Sequence, residues 1–464
     1  MKISSILVLF FPFFTSIHAQ LAPLGKPSDP SKAQLVVPLQ TECALNAIYV
    51  GEFLAARSSL APSYLQQLRD VLLFDLSQNG VTFVQPQSKA AEQELAGRER
   101  FLPLFWKGNK SDFAIRTTFD SYTLSTEVLT VKTGLTSTLP SFTLNGTLNT
   151  DRRIIHKIAD HICKEITGIE GIASAKILYA VKHPKKGGKK GDFESEIWET
   201  DYDGHNQRQI TAEKNYCISP HSFPIAGKFT RNRFFYVNYK QGPSKIYSAL
   251  FSSSKGAPLI SLRGNQLLPT ISRQGHLMAF ISDASGRADL FIQPLNIHHG
   301  PVGKPIQVYS FPYSVQASPT FSPDGNQIAF VSDKKGTPQI YLIDTPYPHR
   351  HRKPRLHCLT KKYRENTSPC WSPDGTKLAY SAKINGVRQI MVYDFMTNEE
   401  IQLTDGNYHK ENPSFAPNSL HIVFHTVDSS SELFVINLKQ RKAMQITKGP
   451  GNYHYPHWSP SEQK

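Results

Sequence analysis

Hydrophobic and polar positions repeat along the second half of the chain, where Pro269, Pro319, Pro369 and Pro413 mark a period of 44 to 50 residues. Each copy begins at or just before the proline, passes through a turn-forming run and ends in an alternating apolar segment. Four copies read LPTISRQGHLMAFISD, SPTFSPDGNQIAFVSD, SPCWSPDGTKLAYSAK and NPSFAPNSLHIVFHTV. The alternation and the β-branched and aromatic residues predict two short strands in each copy rather than a helix.

Two further phrases follow in most copies and predict a third and a fourth strand. The third-strand phrases are EIWET, KIYSA, DLFIQ, QIYLI, QIMVY and ELFVI, which begin at Glu196, Lys245, Asp289, Gln339, Gln389 and Glu432. Many units then close with Leu or Ile followed by Thr, as in QIT at Gln209 and QLT at Gln402. Four strands in about 40 to 50 residues form one blade of a β-propeller.

The phrase Ser-Pro-Asp-Gly, at 322–325 and again at 372–375, stands between the first and second predicted strands. Proline at its second position, aspartate at its third and glycine at its fourth are typical of a type I turn. The alternative is that Asp324 and Asp374 act as acids, bases or metal ligands. The position between two strands favours the turn.

The two ends of the repeat region indicate how the ring closes. The first unit begins at Ala175 with a second-strand phrase, AKILYAVKH, and has no first strand before it. The chain ends in YHYPHWSPSEQK, which is a first-strand phrase alone. The two half-units together predict six blades, one of them shared between distant segments. The second blade is the least regular, and its first strand is expected somewhere within 216–228.

Residues 20–170 lack the repeat and alternate between strand and helix patterns. The patterns predict a strand at 34–40, a helix at 62–76 and strand pairs over 112–134. They also predict an amphipathic helix capped by Thr150 or Asp151 and stopped by Gly168. The predicted fold is therefore two-domain: a small N-terminal α/β domain at 20–170, followed by a six-bladed all-β propeller at 171–464 closed by a C-terminal strand.

The N-terminus predicts export. A lysine at position 2, a mostly apolar stretch from Ile3 to Phe14 and a small residue at Ala19 have the layout of a secretory signal peptide over 1–19, cleaved after Ala19. The alternative is a buried N-terminal strand. No other stretch approaches the length of a membrane helix. The formal charge of +15 attracts anionic partners, but export argues against nucleic acid.

A search for catalytic and metal motifs returns little. The chain has no GxSxG elbow, HExxH, Walker-A loop, Rossmann fingerprint or EF-hand loop, and its five cysteines include no CxxC pair. Two basic clusters at 182–191 and 349–357 fall in connections at opposite ends of the blades. They are interpreted as solvated loops, or alternatively as attraction to acidic envelope surfaces. We therefore expect no catalytic residue, metal or cofactor.

The pattern as a whole resembles the TolB family, the periplasmic propeller component of the Tol-Pal envelope system. The likeness covers nearly all of the chain after the signal peptide. Its most specific part is the junction RRIIHKIADHICKEITGIEGIASAKILYAV at 152–181, followed by TDYDGHNQ at 200–207 and the terminal closing strand. The repeats alone are weak, because propellers attached to hydrolases share them.

The resemblance implies a non-enzymatic, monomeric scaffold in the periplasm. Its propeller face would bind the peptidoglycan-associated lipoprotein Pal, and its N-terminal segment would link to TolA-type inner-membrane partners. This coupling would support outer-membrane integrity and invagination during cell division. In the family the Pal-facing residues precede the first-strand prolines, and the matching positions here are Asn265, Leu268 and Ala317.

Blade geometry adds neighbours to these three residues. Connections from the fourth strand of one blade to the first strand of the next emerge at one end of an up-and-down propeller. The residues that we add on this ground are Gln316, Asn366, Thr367, Glu411 and Tyr455. The alternative for each of the eight is that it only shapes a loop.

The chain departs from the family pattern in places, and other functions stay open. The turn phrases read SRQG and APNS in two copies, and the Pro-rich segment LAPLGKPSDPSK does not look like a strand that would contact TolA. One alternative is a secreted propeller enzyme, a hydrolase or lyase. Another is a propeller that binds a polyanion or peptidoglycan through its basic loops.

Overall fold

The computed structural model of the protein describes residues 45–459, except positions 59, 186, 190, 225–226, 241, 347–353, 429 and 450. The predicted signal peptide, the predicted strand at 34–40 and most of the basic cluster at 349–357 lie outside the described residues. Among the residues that are described, no helix has both the length and the apolar character needed to cross a bilayer.

The N-terminal part is a six-stranded sheet with helices on both faces. Its order is β2–β1–β3–β4–β5, with β6 also paired to β4. β1 runs parallel to β2 and β3, and the other pairs are antiparallel. The elements are β1 (Asn46–Ser58), α1 (Pro62–Gln78), β2 (Thr82–Val84), α2 (Lys89–Ala96), α3 (Pro103–Gly108), β3 (Phe113–Ser121), β4 (Thr123–Thr130), β5 (Leu135–Thr138), β6 (Phe142–Thr143) and α4 (Leu148–Thr167).

Alternation along β1 separates two apolar layers, because successive side chains of a strand point to opposite faces. Ile48 and Val50 belong to the core that includes the buried residues of α1 and α4. Tyr49, between them, packs with Leu95 and Trp106 of α2 and α3 on the other face. The sequence patterns predict α1 and α4 but not the short helices α2 and α3.

Helix α4 starts earlier than predicted. Its N-cap is Thr147, not Thr150 or Asp151. The Asp151 carboxylate instead accepts hydrogen bonds from the backbone N–H groups of Asn145 and Gly146, each at 2.9 Å, so it fixes the loop that enters the helix. Gly168 ends the helix as predicted, with a left-handed φ of 72°.

The rest of the described chain forms six blades of four or five strands around a central channel. The strands in chain order are β7 (Lys176–Pro184), β8 (Phe193–Asp201), β9 (Arg208–Gln209); β10 (Cys217–Ser222), β11 (Arg233–Asn238), β12 (Lys245–Leu250), β13 (Ala257–Pro258); β14 (Gln266–Ile271), β15 (Leu277–Ser282), β16 (Asp289–Asn296), β17 (Gly300–Pro301), β18 (Ile306–Tyr309); β19 (Gln316–Phe321), β20 (Gln327–Ser332), β21 (Gln339–Asp344), β22 (Leu356–Cys358); β23 (Asn366–Trp371), β24 (Lys377–Ile384), β25 (Val387–Asp394), β26 (Glu399–Gln402); β27 (His409–Phe415), β28 (His421–Val427), β29 (Leu433–Asn437), β30 (Ala443–Gln445); and β31 (Asn452–Ser459).

Blade 1 has the order β31–β7–β8–β9, so the predicted closure by the C-terminal segment is confirmed. The antiparallel ladder runs from Asn452 opposite Lys182 to Ser459 opposite Lys176. The first strand of blade 2 is β10, inside the segment where the sequence predicts it. The six-bladed propeller that the sequence repeats predict is thus confirmed.

The Ser-Pro-Asp-Gly segments are the predicted turns. In blade 4 the Gly325 N–H donates to the Ser322 carbonyl at 2.8 Å, and Gly325 takes a left-handed φ of 73°. Asp324 accepts hydrogen bonds from the Ser322 hydroxyl at 2.5 Å and the Asn326 N–H at 3.0 Å. In the divergent copy of blade 6, Ser419 occupies the glycine position with a φ of 60°.

We expect the substitution Asp324→Ala to lower the free energy of unfolding by about 1 kcal/mol, because it removes the acceptor of these turn hydrogen bonds. Chemical denaturation measures the change. The exposed Lys335→Ala is the control, with an expected effect within about 0.5 kcal/mol. Unchanged stability at Asp324 would show that its carboxylate does not hold the turn.

The N-terminal sheet and the propeller belong to one compact unit. The end of α1 contacts blade 6, where His421 Nε2 lies 2.7 Å from the Gln78 carbonyl and Gln440 Nε2 donates to the Ser77 carbonyl at 3.1 Å. The division of the chain into 1–19, 20–170 and 171–464 stays a prediction.

Candidate functional site

The residue before the first-strand proline has the same unusual backbone in every blade. Non-glycine residues rarely have positive φ, and a following proline favours extended conformations. Each such residue lies where the first strand shifts register against the second. The φ angles are 51° at Ser219, 50° at Leu268, 45° at Ser318, 53° at Ser368, 50° at Asn412 and 53° at Tyr455.

These six residues, which we call the proline ring, line the mouth of the central channel together with five of the six prolines that follow them. A cavity of about 120 Å³ lies there. The residues that follow the prolines complete the wall of the cavity: His221, Thr270, Thr320, Cys370, Ser414 and His457. In the described part of the chain, the lining contains no Asp, Glu, Lys or Arg.

The channel wall contains a pair that resembles a nucleophile and its base. Ser414 Oγ lies 3.4 Å from His457 Nδ1. However, burial lowers the pKa of His457 to about 4, and the ring of His221, not a carboxylate, is packed against it with centroids 3.9 Å apart. Burial also raises the pKa of the Cys370 thiol to about 11. A triad needs a group that orients and stabilises a charged imidazole, and these neighbours do not supply one.

The closing strand β31 carries a second histidine contact. His454 lies 5.2 Å from His425 of blade 6, measured between ring centroids, while His457 contacts His221 of blade 2. Burial lowers the pKa of His454 to about 4 and holds that of His425 well below its ordinary value. Strand β31 therefore has a neutral histidine pair on each side.

The structure places the eight predicted residues in four settings. Leu268 and Tyr455 belong to the proline ring, and Ala317 is half-buried directly before Ser318 of that ring. Asn265 lies three residues before the left-handed Leu268, and its side-chain amide donates to the Asp283 carboxylate at 2.6 Å.

Thr367 and Glu411 hold Arg388 between blades 5 and 6. The Thr367 hydroxyl accepts from Arg388 Nη1 at 3.2 Å, and the Glu411 carboxylate lies 3.2 Å from Arg388 Nε. Both residues are half-buried at the channel-mouth end.

The remaining two predicted residues do not reach the surface. Gln316 is 1% exposed and Asn366 is 0% exposed. The Asn366 amide donates to Gln339 Oε1 and to the Tyr363 carbonyl, both at 2.8 Å. Side chains buried in this way stabilise connections and cannot contact a partner, so we remove both from the candidate binding residues.

The sequence prediction misses four of the six residues of the proline ring. Ser219, Ser318, Ser368 and Asn412 occupy the position of Leu268 in their own blades. The signal is present in the sequence, because each residue immediately precedes a repeat proline. Small polar side chains at these positions look like ordinary turn residues, and only the shared left-handed backbone brings them together.

A buried charged cluster lies where α1, α4 and the turn after β8 meet. His156 Nδ1 is 2.7 Å from Asp75 Oδ2, and the Tyr202 hydroxyl donates to Asp75 Oδ1 at 2.7 Å. On its other side His156 faces Asp203, with Nε2 3.7 Å from Oδ2. Arg152 in turn pairs with Asp203. We call these residues the joint cluster.

Charge balance explains the joint cluster. Burial by itself disfavours a charged imidazole, but Asp75 and Asp203 outweigh it and raise the pKa of His156. Against burial, the hydrogen bond from His205 and the charges of His156 and Arg152 lower the pKa of Asp203. His156, Asp201 and Asp203 come close enough to suit a metal. The arginines and the imidazole already neutralise these carboxylates, so we assign no metal to them.

A six-bladed ring closed by its last strand and joined to an α/β sheet defines the chain as a two-part propeller protein. The family described as the TolB beta propeller domain matches residues 163–462. The chain belongs to this TolB β-propeller family.

Relatives and solved structures agree with this assignment. The chain is 44% identical over 288 residues to the TolB homolog of Protochlamydia amoebophila (strain UWE25), which is 61% of each chain. It is 37% identical over 181 residues to the TolB homolog of Chlamydia pneumoniae, covering 39% of this chain and 41% of the relative. These matches span less than two thirds of the relatives' length. The crystal structure of TolB from Acinetobacter baumannii superposes with a TM-score of 0.69 at 19% identity, covering 90% of this chain and 97% of the other, and shows the shared fold.

Proposed function

We propose that the protein is a non-enzymatic scaffold of the bacterial periplasm that binds a Pal-type lipoprotein at the mouth of its propeller channel. The observation that carries the proposal is the proline ring. It repeats one strained backbone around the mouth in all six blades, at the positions where the resemblance to TolB implies partner contacts. Membership of the TolB β-propeller family supports the same role.

The backbone of the ring suits a binding surface. A non-glycine residue in the left-handed region costs about 1 to 3 kcal/mol and persists where the surroundings impose it. Here the left-handed backbone coincides in every blade with the register shift of the first strand, which holds it against the extended preference of a residue before proline. A partner then meets side chains whose backbone is already ordered, so binding does not incur that ordering cost.

The lining of the cavity also suits contact with a protein segment. It offers hydroxyl groups from Ser, Thr and Tyr, neutral imidazoles and apolar proline surface. Such a wall can accept and donate hydrogen bonds to a polypeptide backbone without a strong preference for charge. The link to a TolA-type inner-membrane partner is part of the proposal, but its N-terminal segment lies outside the described residues. Export through a signal peptide at 1–19 is likewise proposed.

We expect the substitutions Leu268→Arg and Ala317→Arg to weaken capture of a Pal-type lipoprotein at least tenfold, because each places a long charged side chain at the channel mouth. Pull-down from envelope extract, with identification of the captured lipoprotein by mass spectrometry, measures the effect. Circular dichroism and the unfolding midpoint should stay as in the parent protein. The matched control is Met396→Arg, at a residue that is 77% exposed in the turn between β25 and β26 at the opposite end of the blades.

Two results would contradict the proposal. One is the absence of any Pal-type lipoprotein among the proteins that the intact chain captures. The other is salt-sensitive retention on a polyanion column that is unchanged by Leu268→Arg and Ala317→Arg, which would favour a polyanion-binding role.

A further inference from the structure

An apolar tip projects from the loop at 310–315, which connects β18 of blade 3 to β19 of blade 4. Tyr313 is fully exposed, and Phe311 and Val315 are 40% and 41% exposed. Tyr313 also has a left-handed φ of 58°. A positive φ is unusual for a bulky non-glycine residue, and here it falls within a cluster of three exposed apolar side chains rather than at a single one.

The loop is held in place by hydrogen bonds. The Ser314 hydroxyl donates to the Phe311 carbonyl at 3.2 Å, and the Val315 N–H donates to Asp333 Oδ1 at 2.7 Å. Beneath the loop, the Lys334 ammonium lies 5.6 Å from the Phe311 ring centroid and 4.8 Å from that of Tyr341. The aromatic tip is thus presented by a braced loop, as a preorganised anchor would be.

The tip is continuous with the channel mouth. The loop is a fourth-to-first connection, so it emerges at the end where the proline ring lies. Val315 is two residues from Ala317, and Ser318 of the ring follows. Tyr313 lies five residues before Ser318, in the connection that leads into the ring strand of blade 4.

Three cationic side chains lie in connections of blade 4 that emerge at the same end of the propeller as the tip. Lys335 lies in the turn between β20 and β21, and Lys361 and Arg364 lie in the connection from blade 4 to blade 5. Among the described residues, no carboxylate is within ion-pair distance of these three side chains. The carboxylates of the same segments are already engaged, since Asp333 accepts the Val315 N–H and Glu365 pairs with Lys383 and Arg388.

We propose that the tip and these cations form an anchor for the protein partner of the channel mouth, and that this partner offers an apolar pocket bordered by carboxylates. The inference rests on the proposed function, because the anchor belongs to the same face. Tyrosine and arginine dominate the binding energy of many protein interfaces. Tyrosine does so because it buries a large area while ordering only two side-chain torsions. Val315 lies two residues before Ala317 at the channel mouth, and a protein segment can reach into a concave mouth whereas a flat bilayer cannot.

The test uses the full-length mature chain and, as probe, the purified soluble domain of the same bacterium's Pal-type lipoprotein. We expect Tyr313→Ala to weaken binding at least tenfold in isothermal titration calorimetry. Met396→Ala, which truncates a similarly exposed apolar residue at the other end of the blades, should leave binding unchanged. The double variant Lys361→Glu/Arg364→Glu should bind more weakly and show a smaller loss of affinity when salt is raised.

The outcomes separate the two proposals. If the parent protein does not bind the lipoprotein domain, the proposed function fails, and this inference fails with it. If the parent binds and Tyr313→Ala binds equally well, the anchor alone is wrong. Sedimentation with vesicles of phosphatidylethanolamine and phosphatidylglycerol is the third measurement. Vesicle binding that Tyr313→Ala abolishes, with lipoprotein binding intact, would assign the tip to a membrane surface and overturn the inference.

Discussion

Replacing Asp75 by Ala should lower the free energy of unfolding by about 3 to 5 kcal/mol, the usual cost of removing one partner from a buried ion pair. The Asp75 side chain is fully buried and bonds both His156 and Tyr202. Without Asp75, the buried imidazole of His156 keeps only the carboxylate of Asp203 as a partner, and the buried hydroxyl of Tyr202 loses its hydrogen-bond acceptor. Chemical denaturation followed by fluorescence and by circular dichroism measures the loss.

The same helix provides the control. Asp70 lies on the exposed side of α1 and accepts a hydrogen bond from Gln66 at 2.8 Å, so Asp70→Ala should change stability by less than about 0.5 kcal/mol. Equal effects at the two positions would mean that the joint cluster contributes nothing specific. Asp75 lies in α1 of the N-terminal part and Tyr202 in the turn after β8 of blade 1. If the joint is loosened, fluorescence and circular dichroism should therefore cease to report one common transition.

Acidification from pH 7 to pH 5 should destabilise the protein through the histidine pairs beside the closing strand. Burial lowers the pKa of both His454 and His457 to about 4, against about 6.5 in an unfolded chain. The unfolded state then binds more protons, so the stability from each neutral imidazole is complete above pH 6.5 and is lost as the pH falls towards 4. At pH 5 the loss is about 1 to 2 kcal/mol for each ring, since both keep some solvent contact.

The double variant His454→Gln/His457→Gln isolates this effect, because other groups titrate in the same range. His221 and His425 face the imidazole rings of His457 and His454, and burial lowers the pKa of both as well. The charge of Lys182 lowers the pKa of His454 further. Asp160, whose pKa burial raises to about 6, acts in the opposite direction. The measurement is the unfolding midpoint as a function of pH. A variant with the same slope as the parent protein would show that the closing strand is not the acid-sensitive element.

Local signals carried the prediction of the fold. A proline followed by a turn phrase marks the first strand of most blades. The strand missing from the first unit and the extra strand at the C-terminal end of the repeats can both be recognised from the sequence, so the number of blades follows without coordinates. The helix stop at Gly168 is equally local. Ser419 occupies the glycine position of the blade 6 turn and the turn still forms. The turn therefore tolerates substitutions that make the repeat harder to recognise in the sequence.

The site depended on information that the sequence order does not contain. Polar residues such as Gln316 and Asn366 are expected at the surface from the sequence alone. An amide side chain can nevertheless be buried when it forms hydrogen bonds with backbone groups that lack another partner. Asp75, His156 and Asp203 meet only because two helices and a blade pack together. The residue type alone does not distinguish the exposed Tyr313 from the tyrosines of the core.

Ring closure by β31 has a consequence for how the molecule is made. The second strand of blade 1, β7, is synthesised early, but its partner comes from the last segment of the chain. Until that segment arrives, β7 is an unpaired edge of the kind that recruits other strands, and the long separation slows the final pairing. If the chain is exported, as proposed, the ring cannot close until β31 has been translocated. The interval before closure is when we expect the protein to depend most on periplasmic chaperones.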